Sequence, residues 1–478
     1  MTERLRGWLH LLWPQWIGPN LRIILLARLT MSASRAIAGV VTALYLAAEG
    51  FSPVALGFLF FAVTAASAAM ATVIGLLADR FGRKPFLIAI PLLAALAAVV
   101  YALVRDPVVL FVFAAVGTFG RGAGAGGGSV GPYQPAESAF VAESATGPVR
   151  AAAFGRLAFF SALGALAGGL MAALARTHPH LSMAEATAVY RPAFLAAALL
   201  AAVAGLMAIG LQEETAARAP ARGRRRIRWP RRSWPALWRF WVTNGVNGVA
   251  IGMFGPFMSY WLYVRYGATP GEIGRLFALV NLGSLVSTLS AASIARRLGT
   301  VPAIVAVRAV TGVMLVPMVL APSFWMAGGL YLIRMVVQRV GLPLRQSFTQ
   351  DLADPEERAS LAALSNLPAQ GTMAGSQVLA GYLFDEVGLA APFELAALFQ
   401  VANAVLYGAL FGPWRPRRKN APLPSFGEPD GGLPTPEAGL RADSNSAQAS
   451  GLSGRSRSPA KKPAGAGGEE HREWGDHR

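Results

Sequence analysis

Long apolar runs alternate with short polar connections along most of the chain. Many runs contain about 20 or more residues, which is enough to cross a hydrocarbon layer of ~30 Å as a helix. Pro or Gly stands at many of the boundaries, where it ends a helix and lets the chain turn back. The pattern predicts twelve antiparallel spans, numbered 1 to 12 in order, at residues 23–47, 53–77, 85–104, 107–131, 152–175, 190–211, 238–263, 271–295, 301–320, 323–345, 360–384 and 391–413.

The composition identifies the solvent of these spans. Hydrophobic residues make up 54% of the chain and charged residues 14%, and the mean hydropathy is positive. A soluble protein could not bury so much apolar surface, so we expect an all-α membrane protein. The formal net charge is +18, but much of it lies in residues 218–232 and most of the rest flanks apolar runs. We therefore expect anionic membrane lipid, and not nucleic acid, as the partner of this charge.

The distribution of basic residues predicts the orientation. Arg and Lys concentrate in alternate connections, from the one between spans 2 and 3 to the run Arg415–Lys419 that follows span 12. Cytoplasmic loops carry an excess of such residues. The sequence therefore predicts a multi-pass protein of the inner (plasma) membrane with both termini in the cytoplasm.

The basic stretch between spans 6 and 7 divides the chain into two similar halves. At an offset of 208 residues, Glu143 falls on Asp351 and Arg150 on Arg358, as a duplication would produce. The end of the chain is rich in Pro, Gly and Ser, which predicts disorder. The predicted domains are a six-helix bundle with an interfacial amino-terminal segment (1–211), a basic cytoplasmic linker (212–235), a second six-helix bundle (236–414) and a cytoplasmic tail (415–478).

The connection between spans 2 and 3 contains a charged motif, "GLLADRFGRKP" at residues 75–85. Its glycines permit a close helix approach and a tight turn, and its cations hold the loop in the cytoplasm. The motif resembles the signature loop of the major facilitator superfamily, Gly-x-x-x-Asp-Arg/Lys-x-Gly-Arg/Lys-Arg/Lys. The residues at its defined positions are Gly75, Asp79, Arg80, Gly82, Arg83 and Lys84.

This resemblance implies a fold and a mechanism. Members have two pseudo-symmetric bundles of six helices and move solutes by alternating access. It also implies that Asp79 engages the beginning of span 11, near Ser360, where a helix dipole favours an anion. Such a contact would be a conformational latch that holds the halves together on the inside while the cavity faces out. Topogenic charge alone is the alternative explanation of the motif.

The same resemblance places the cavity between spans 1, 4, 7 and 10. An arginine lies near the middle of three of these spans, where it costs about 3 kcal/mol on insertion scales unless it faces water or a partner. The arginines predict a cationic cavity for an anionic solute, or else they bond to neighbouring protein groups. Amide side chains on spans 7 and 10 could bind substrate or join helices. The predicted substrate-binding residues are Arg35, Arg121, Asn244, Asn247, Arg334 and Gln338.

Two further features concern coupling to protons. Gly155, Gly164, Gly168 and Gly169 of span 5 have a spacing similar to the antiporter motif of drug-exporting members, although Gly169 stands where that motif has Pro; close helix packing also explains such glycines. The middle of the lining spans contains no Asp or Glu. Proton coupling would therefore use Asp79, or Glu137 and Glu143 near the cytoplasmic end of span 4.

Together these features predict a secondary active transporter of a small organic solute, with proton-coupled efflux of drugs or metabolites as the leading hypothesis. An organic-anion transporter or exchanger is the alternative substrate class, and a transport-inactive receptor or scaffold is the alternative function. No paired catalytic carboxylates or nucleophile with a base lie near the midplane, so we expect no enzyme. We also expect no metal site, because His178 and His180 have no clear third ligand nearby. We expect no cofactor, because the Gly-x-Gly-x-x-Gly match at residues 122–127 has neither a strand before it nor an acidic residue at the right distance after it. The expected partners are the solute, a proton and membrane lipids, and the expected state is a monomer.

Overall fold

In the computed structural model the apolar runs are α-helices. The structure describes residues 16–118, 120, 131–144, 149–175, 183–212, 230–354, 357, 361 and 364–412. For some residues within these ranges it describes the backbone and not the side chain. All of them belong to the first of two units into which the chain divides after Pro416. The helices of the described residues are α1 (Pro19–Ala48), α2 (Pro53–Phe81), α3 (Lys84–Leu103), α4 (Pro107–Val116), α5 (Tyr133–Ser144), α6 (Val149–Met171), α7 (Met183–Ile209), α8 (Trp234–Phe254), α9 (Met258–Tyr266), α10 (Pro270–Leu298), α11 (Thr300–Val313), α12 (Leu315–Leu320), α13 (Phe324–Leu352), α14 (Leu367–Glu386) and α15 (Ala391–Phe411).

The sequence marks several helix beginnings. Side-chain oxygens of Ser52, Asp106 and Ser323 accept hydrogen bonds from the backbone N–H three residues further on. Each bond satisfies one of the amides that have no partner in the first turn of a helix. Proline stands within the first two positions of α1, α2 and α4, where its fixed φ suits the helix and its missing N–H is not needed.

Span 4 differs from its prediction. The predicted span is continuous over residues 107–131, whereas the structure ends α4 at Val116, begins α5 at Tyr133 and continues it to Ser144. Span 4 therefore extends further along the chain than predicted, to Ser144, and contains two helices in its described part. Residues 121–130 lie outside the described part of the chain.

Seven of the described helical spans are long and apolar enough to cross a membrane by length and composition alone. Within the residues that the structure describes, the helices of the other five predicted spans, 4, 7, 8, 10 and 11, do not meet this criterion. α13 alone contains Arg334, Gln338, Arg339 and Arg345. Helices that pack inside a bundle or face a water-filled cavity can carry such residues, whereas helices surrounded by lipid cannot.

The spans pack as two halves. In the first half α1 packs against α6 and α7, and α3 packs against α7; in the second half α8 packs against α14 and α15, and α11 packs against α13 and α15. The halves meet where α2 packs against α14, α6 against α10 and α1 against α9.

The apolar cores reveal which side of the molecule is closed. We call the face at which α1 begins the proximal face and the one at which it ends the distal face. One core toward the distal face contains residues of both halves, among them Tyr45, Phe60, Phe257 and Phe384. Toward the proximal face, the described residues form one core in each half. The two halves are therefore closed against each other at the distal face.

Glycines allow the closest approach at this distal contact. A Cβ atom at Gly57 of α2 would lie 2.7 Å from the carbonyl oxygen of Gln377, and one at Gly381 of α14 would overlap the carbonyl of Pro53. Further along the same interface, Thr64 Oγ1 donates a hydrogen bond of 3.1 Å to Gln377 Oε1. Small residues let the helix backbones touch, and the hydrogen bond adds to their association.

The beginning of the second half is tied to the connection between α13 and α14. The backbone N–H groups of Arg232 and Ser233 donate to the carboxylate of Glu357 at 3.2 and 2.7 Å, and Ser233 Oγ accepts from the N–H of Asp354 at 3.1 Å. Burial disfavours ionisation of the Glu357 carboxyl group. The hydrogen bonds that it accepts from Arg232 and Ser233, together with the charge of Arg232, outweigh this effect and hold the pKa of Glu357 below the usual value.

Candidate functional site

The break in span 4 is contacted by one of the predicted midplane arginines. Arg35 Nη2 of α1 donates to the carbonyl oxygen of Thr118 at 3.0 Å, and its Nη1 lies 3.4 Å from Thr118 Oγ1. Thr118 has a φ of 47°, a conformation that residues other than Gly rarely adopt. Thr118 lies just beyond the end of α4, so Arg35 satisfies a backbone carbonyl next to the break. Arg121 lies outside the described residues.

A buried ion pair joins spans 1 and 4 closer to the proximal face. Arg28 Nη1 of α1 lies 2.5 Å from Glu137 Oε2 of α5, and the two side chains are 6% and 0% exposed. Tyr133 lies one turn before Glu137 on the same helix and is also fully buried. Within the described part of the chain, Glu137 Oε1 and Tyr133 Oη have no hydrogen-bond partner. Among the described residues, Arg28 is therefore the cationic partner of this buried carboxylate.

The sequence singled out Glu137 but not Arg28. An arginine in the proximal part of a span resembles the cations that flank membrane helices, so its position alone does not mark it. Two signals could have identified it. Arg28 precedes Arg35 by seven residues, or two helical turns, which places both on one face of α1. The second signal is Glu137 itself, an acid in α5, the helix of span 4 that packs against α1.

Two predicted substrate residues of the second half lie together. Arg334 of α13 is fully buried, its Nε donates to the carbonyl of Thr311 at 2.9 Å, and its Nη1 lies 3.4 Å from Gln338 Oε1. The guanidinium centre lies 4.1 Å from the centroid of the Phe254 ring. The structure thus brings Arg334 and Gln338 into contact with each other and with helices of their own half. Their role toward a substrate stays a prediction.

The asparagines of span 7 differ in environment. Asn244 is buried; its Nδ2 donates to the carbonyl of Ser365 at 2.8 Å, and its Oδ1 lies 3.4 Å from Arg345 Nη1. It therefore joins α8 to α13 and to the segment that precedes α14. Asn247, one turn further along α8, is half-buried. Their substrate-binding role also stays a prediction.

The signature loop has the expected backbone. α2 contains Gly75 and ends at Phe81, Gly82 has a φ of 86°, and α3 begins at Lys84. A positive φ favours glycine, which explains the residue at this turn. Arg83 Nη1 donates to the carbonyl of Ala139 in α5 at 3.3 Å. The side chains of Asp79, Arg80 and Glu143, and residue Ser360, lie outside what the structure describes, so the latch and the role of Glu143 stay predictions.

Three of the four glycines of span 5 are points of close packing. A Cβ atom at Gly164 or Gly168 would overlap the carbonyl of Leu29 or Ala33 in α1. One at Gly169 would lie 2.8 Å from the carbonyl oxygen of Gly274 in α10, across the contact between the halves. A Cβ atom at Gly155 would meet nothing within 4 Å. Gly164 and Gly168 set the spacing of α1 and α6, whereas Gly169 lets the halves approach.

Comparisons with known proteins agree with this architecture. The sequence profile of the Major Facilitator Superfamily matches residues 24–245 and again 240–462. No curated protein sequence matches the chain. Among solved structures, the nucleoside transporter NupG has 14% identity and a TM-score of 0.64, over 83% of this chain and 99% of that one.

Two other solved structures are similar. A bacterial homologue of the human lysosomal transporter Spinster, in an inward-facing and occupied conformation, has 15% identity and a TM-score of 0.65 over 83% of this chain and 98% of that one. An auto-inhibited peptide transporter of the POT family has 14% identity and a TM-score of 0.64 over 85% and 99%. These likenesses show the fold of two six-helix bundles. The two profile matches cover both halves, and the chain therefore belongs to the Major Facilitator Superfamily.

Proposed function

We propose that this protein is a proton-coupled exporter of a small organic solute. Its family fold supports membrane transport by alternating access. Alternating access in such folds is a rocking of one bundle against the other around a site between them. The proposal adds the coupling ion and the direction of transport.

The observation that carries the proton coupling is the Arg28–Glu137 pair. Placing a carboxylate inside a membrane protein costs free energy, and carboxylates in such positions commonly belong to proton relays. Here it is fully buried and bound to one arginine. Protonation of Glu137 would neutralise the acid and remove its attraction to Arg28.

The pair therefore has two protonation states, and each state favours a different arrangement of the residues around it. With Glu137 ionised, Arg28 holds α1 and α5 together. With Glu137 protonated, the attraction between the two charges is lost, which favours a different arrangement of the first half. A proton can shift a conformational equilibrium only through such a difference between states. Coupling to a solute follows if the solute prefers one of the two arrangements.

We further propose that the proximal face is cytoplasmic, so that the structure is the inward-facing state, and that the protein works as a monomer. The basic residues of the alternate connections support this orientation. In intact cells, an impermeant thiol reagent should label Val387→Cys at the distal end of α14 but not Arg297→Cys at the proximal end of α10. The reverse result would contradict the orientation.

The coupling can be tested in proteoliposomes that contain the pH dye pyranine. Ethidium, uridine, glycylglycine and benzoate are added in turn as probes of cationic, nucleoside, peptide and anionic solutes. Wild-type protein should move protons when one of them is transported, and Glu137→Gln should abolish the proton movement. Glu394→Gln is the matched control, because Glu394 lies exposed in the first turn of α15. Uphill solute transport that persists after the proton gradient is dissipated would contradict the proposal.

Movement of an organic anion is the second candidate. It is favoured by Arg334, Arg339 and Arg345 of α13, for which the described residues provide no ion pair. Arg334→Gln should then weaken transport of benzoate more than that of uridine. Equal effects on both probes would contradict a cationic substrate site.

A further inference from the structure

We propose that the second half holds an internal binding site for a small anion, formed by Arg308 of α11 together with Asn403 and Tyr407 of α15. The site lies in the other half of the molecule from the Arg28–Glu137 pair. It goes beyond the proposed function and does not depend on proton coupling.

Arg308 carries the first part of the argument. Its side chain is buried, with 6% exposed, in the middle of a membrane span. Among the described residues no carboxylate lies within ion-pair distance of it, and its Nη1 has no hydrogen-bond partner. Its guanidinium centre lies 4.9 Å from the centroid of the Tyr407 ring. A ring face attracts a cation but does not neutralise it.

The facing helix presents further polar groups to the same region. Gln400, Asn403 and Tyr407 follow one another at spacings of three and four residues, so they share one face of α15. All three are buried. Within the described part of the chain, Gln400 Oε1, both amide atoms of Asn403 and Tyr407 Oη have no hydrogen-bond partner.

The packing of α11 against α15 places these groups opposite Arg308. Gly312 lies one turn after Arg308, and a Cβ atom there would be 3.1 Å from the Cβ atom of Gln400. The Arg308 guanidinium lies against the ring of Tyr407, two turns after Gln400. Asn403 lies between these two contact points along α15. The cation and the unpaired polar atoms therefore occupy one short stretch of the α11–α15 interface.

Nearby charge raises the cost of this arrangement. Arg345 of α13 lies close enough to Arg308 for the two positive charges to repel each other. Buried polar groups nearly always have hydrogen-bond partners, and a buried charge is costly unless it is paired. An anion would neutralise Arg308 and accept hydrogen bonds from Arg308 Nη1, Asn403 Nδ2 and Tyr407 Oη. Because the site lies within a packed interface, it suits chloride or the carboxylate end of a small solute.

Thermal unfolding of the purified protein in detergent provides the test. Chloride replaces isethionate, a bulkier anion without a carboxylate, at constant ionic strength, and the wild-type Tm should rise to saturation, because a ligand that binds the native state stabilises it. Arg308→Gln should remove this dependence. The control Arg265→Gln, at an exposed position near the distal end of α9, should retain it. An equal chloride dependence in wild type and Arg308→Gln would overturn the proposal.

A direct measurement of chloride binding tests the proposal even if the Arg308→Gln variant does not fold. Equilibrium dialysis with radioactive chloride should show saturable retention by the wild-type protein and at least tenfold weaker binding by Asn403→Ala and Tyr407→Phe, which keep the charge of Arg308. Acetate that displaces chloride would assign the site to carboxylates as well, and failure to displace would restrict it to inorganic anions. Absence of saturable chloride retention by the wild type would overturn the proposal, whatever the result of the transport assays.

Discussion

At the scale of single residues, the two partners of the Arg28–Glu137 pair depend on each other. Removing one partner of a buried ion pair leaves an uncompensated charge, whereas removing both leaves none. Arg28→Gln should therefore lower the free energy of unfolding by about 3 kcal/mol, and Arg28→Gln with Glu137→Gln should lower it by much less. The measurement is unfolding by SDS in mixed micelles. Additive losses in the double variant would show that the two residues do not interact.

The sequence predicts the positions of the polar residues better than their partners. It places Arg35 and Arg334 correctly within spans 1 and 10, because a charge stands out in an apolar run. It does not predict that Arg35 reaches the backbone at Thr118 or that Arg334 reaches the carbonyl of Thr311. Those contacts depend on a helix break and on the rotation of neighbouring helices, neither of which a hydropathy pattern contains.

At the scale of helices, Gly168 tests the packing of α1 against α6. Gly168→Ala would place a Cβ atom against the carbonyl of Ala33, so the helices must separate. We expect a loss of roughly 1–3 kcal/mol, as for other overpacked sites. Gly155→Ala on the same helix is the control; its Cβ meets open space, so better helix propensity should leave stability unchanged or raise it by up to about 1 kcal/mol. Similar losses in both variants would contradict the packing role.

The connection around Glu357 gives a prediction for pH. Its pKa is lowered in the folded protein, so its contribution to stability is fully present above the usual carboxyl pKa of about 4.3 and is lost as the pH falls through the lowered value. The Tm difference between wild type and Glu357→Gln should be constant from about pH 8 to 5 and disappear at lower pH. A difference that persists in acid would contradict this assignment.

Span 4 shows why helix prediction from the sequence is incomplete. Its first ten residues are apolar and form α4, as the pattern predicts. The chain then passes through a glycine-rich stretch and forms a second helix with a lower apolar content, in which Glu137 finds a partner on α1. The partner of this buried carboxylate lies on another helix, so a hydropathy pattern along the chain does not contain it.

At the scale of the whole molecule, Gly57 tests the closure of the distal face. The chain contains no cysteine, so spin labels at Phe58→Cys and Val387→Cys report one distance across the contact of α2 and α14. Gly57→Ala should shift the distribution of this distance to larger values, because its Cβ would lie 2.7 Å from the carbonyl oxygen of Gln377. Gly375→Ala has open space and serves as the control. Unchanged distances in Gly57→Ala would show that this contact does not limit closure.

The apolar core that both halves share also affects how well the protein prevents ions from leaking across the membrane. A membrane that stores a proton gradient tolerates no continuous column of water through its transporters. Aromatic rings of α1, α2, α9 and α14 fill the distal side of this protein and interrupt such a column. Substitutions that loosen these rings should therefore increase the leak of ions through the protein in reconstituted vesicles.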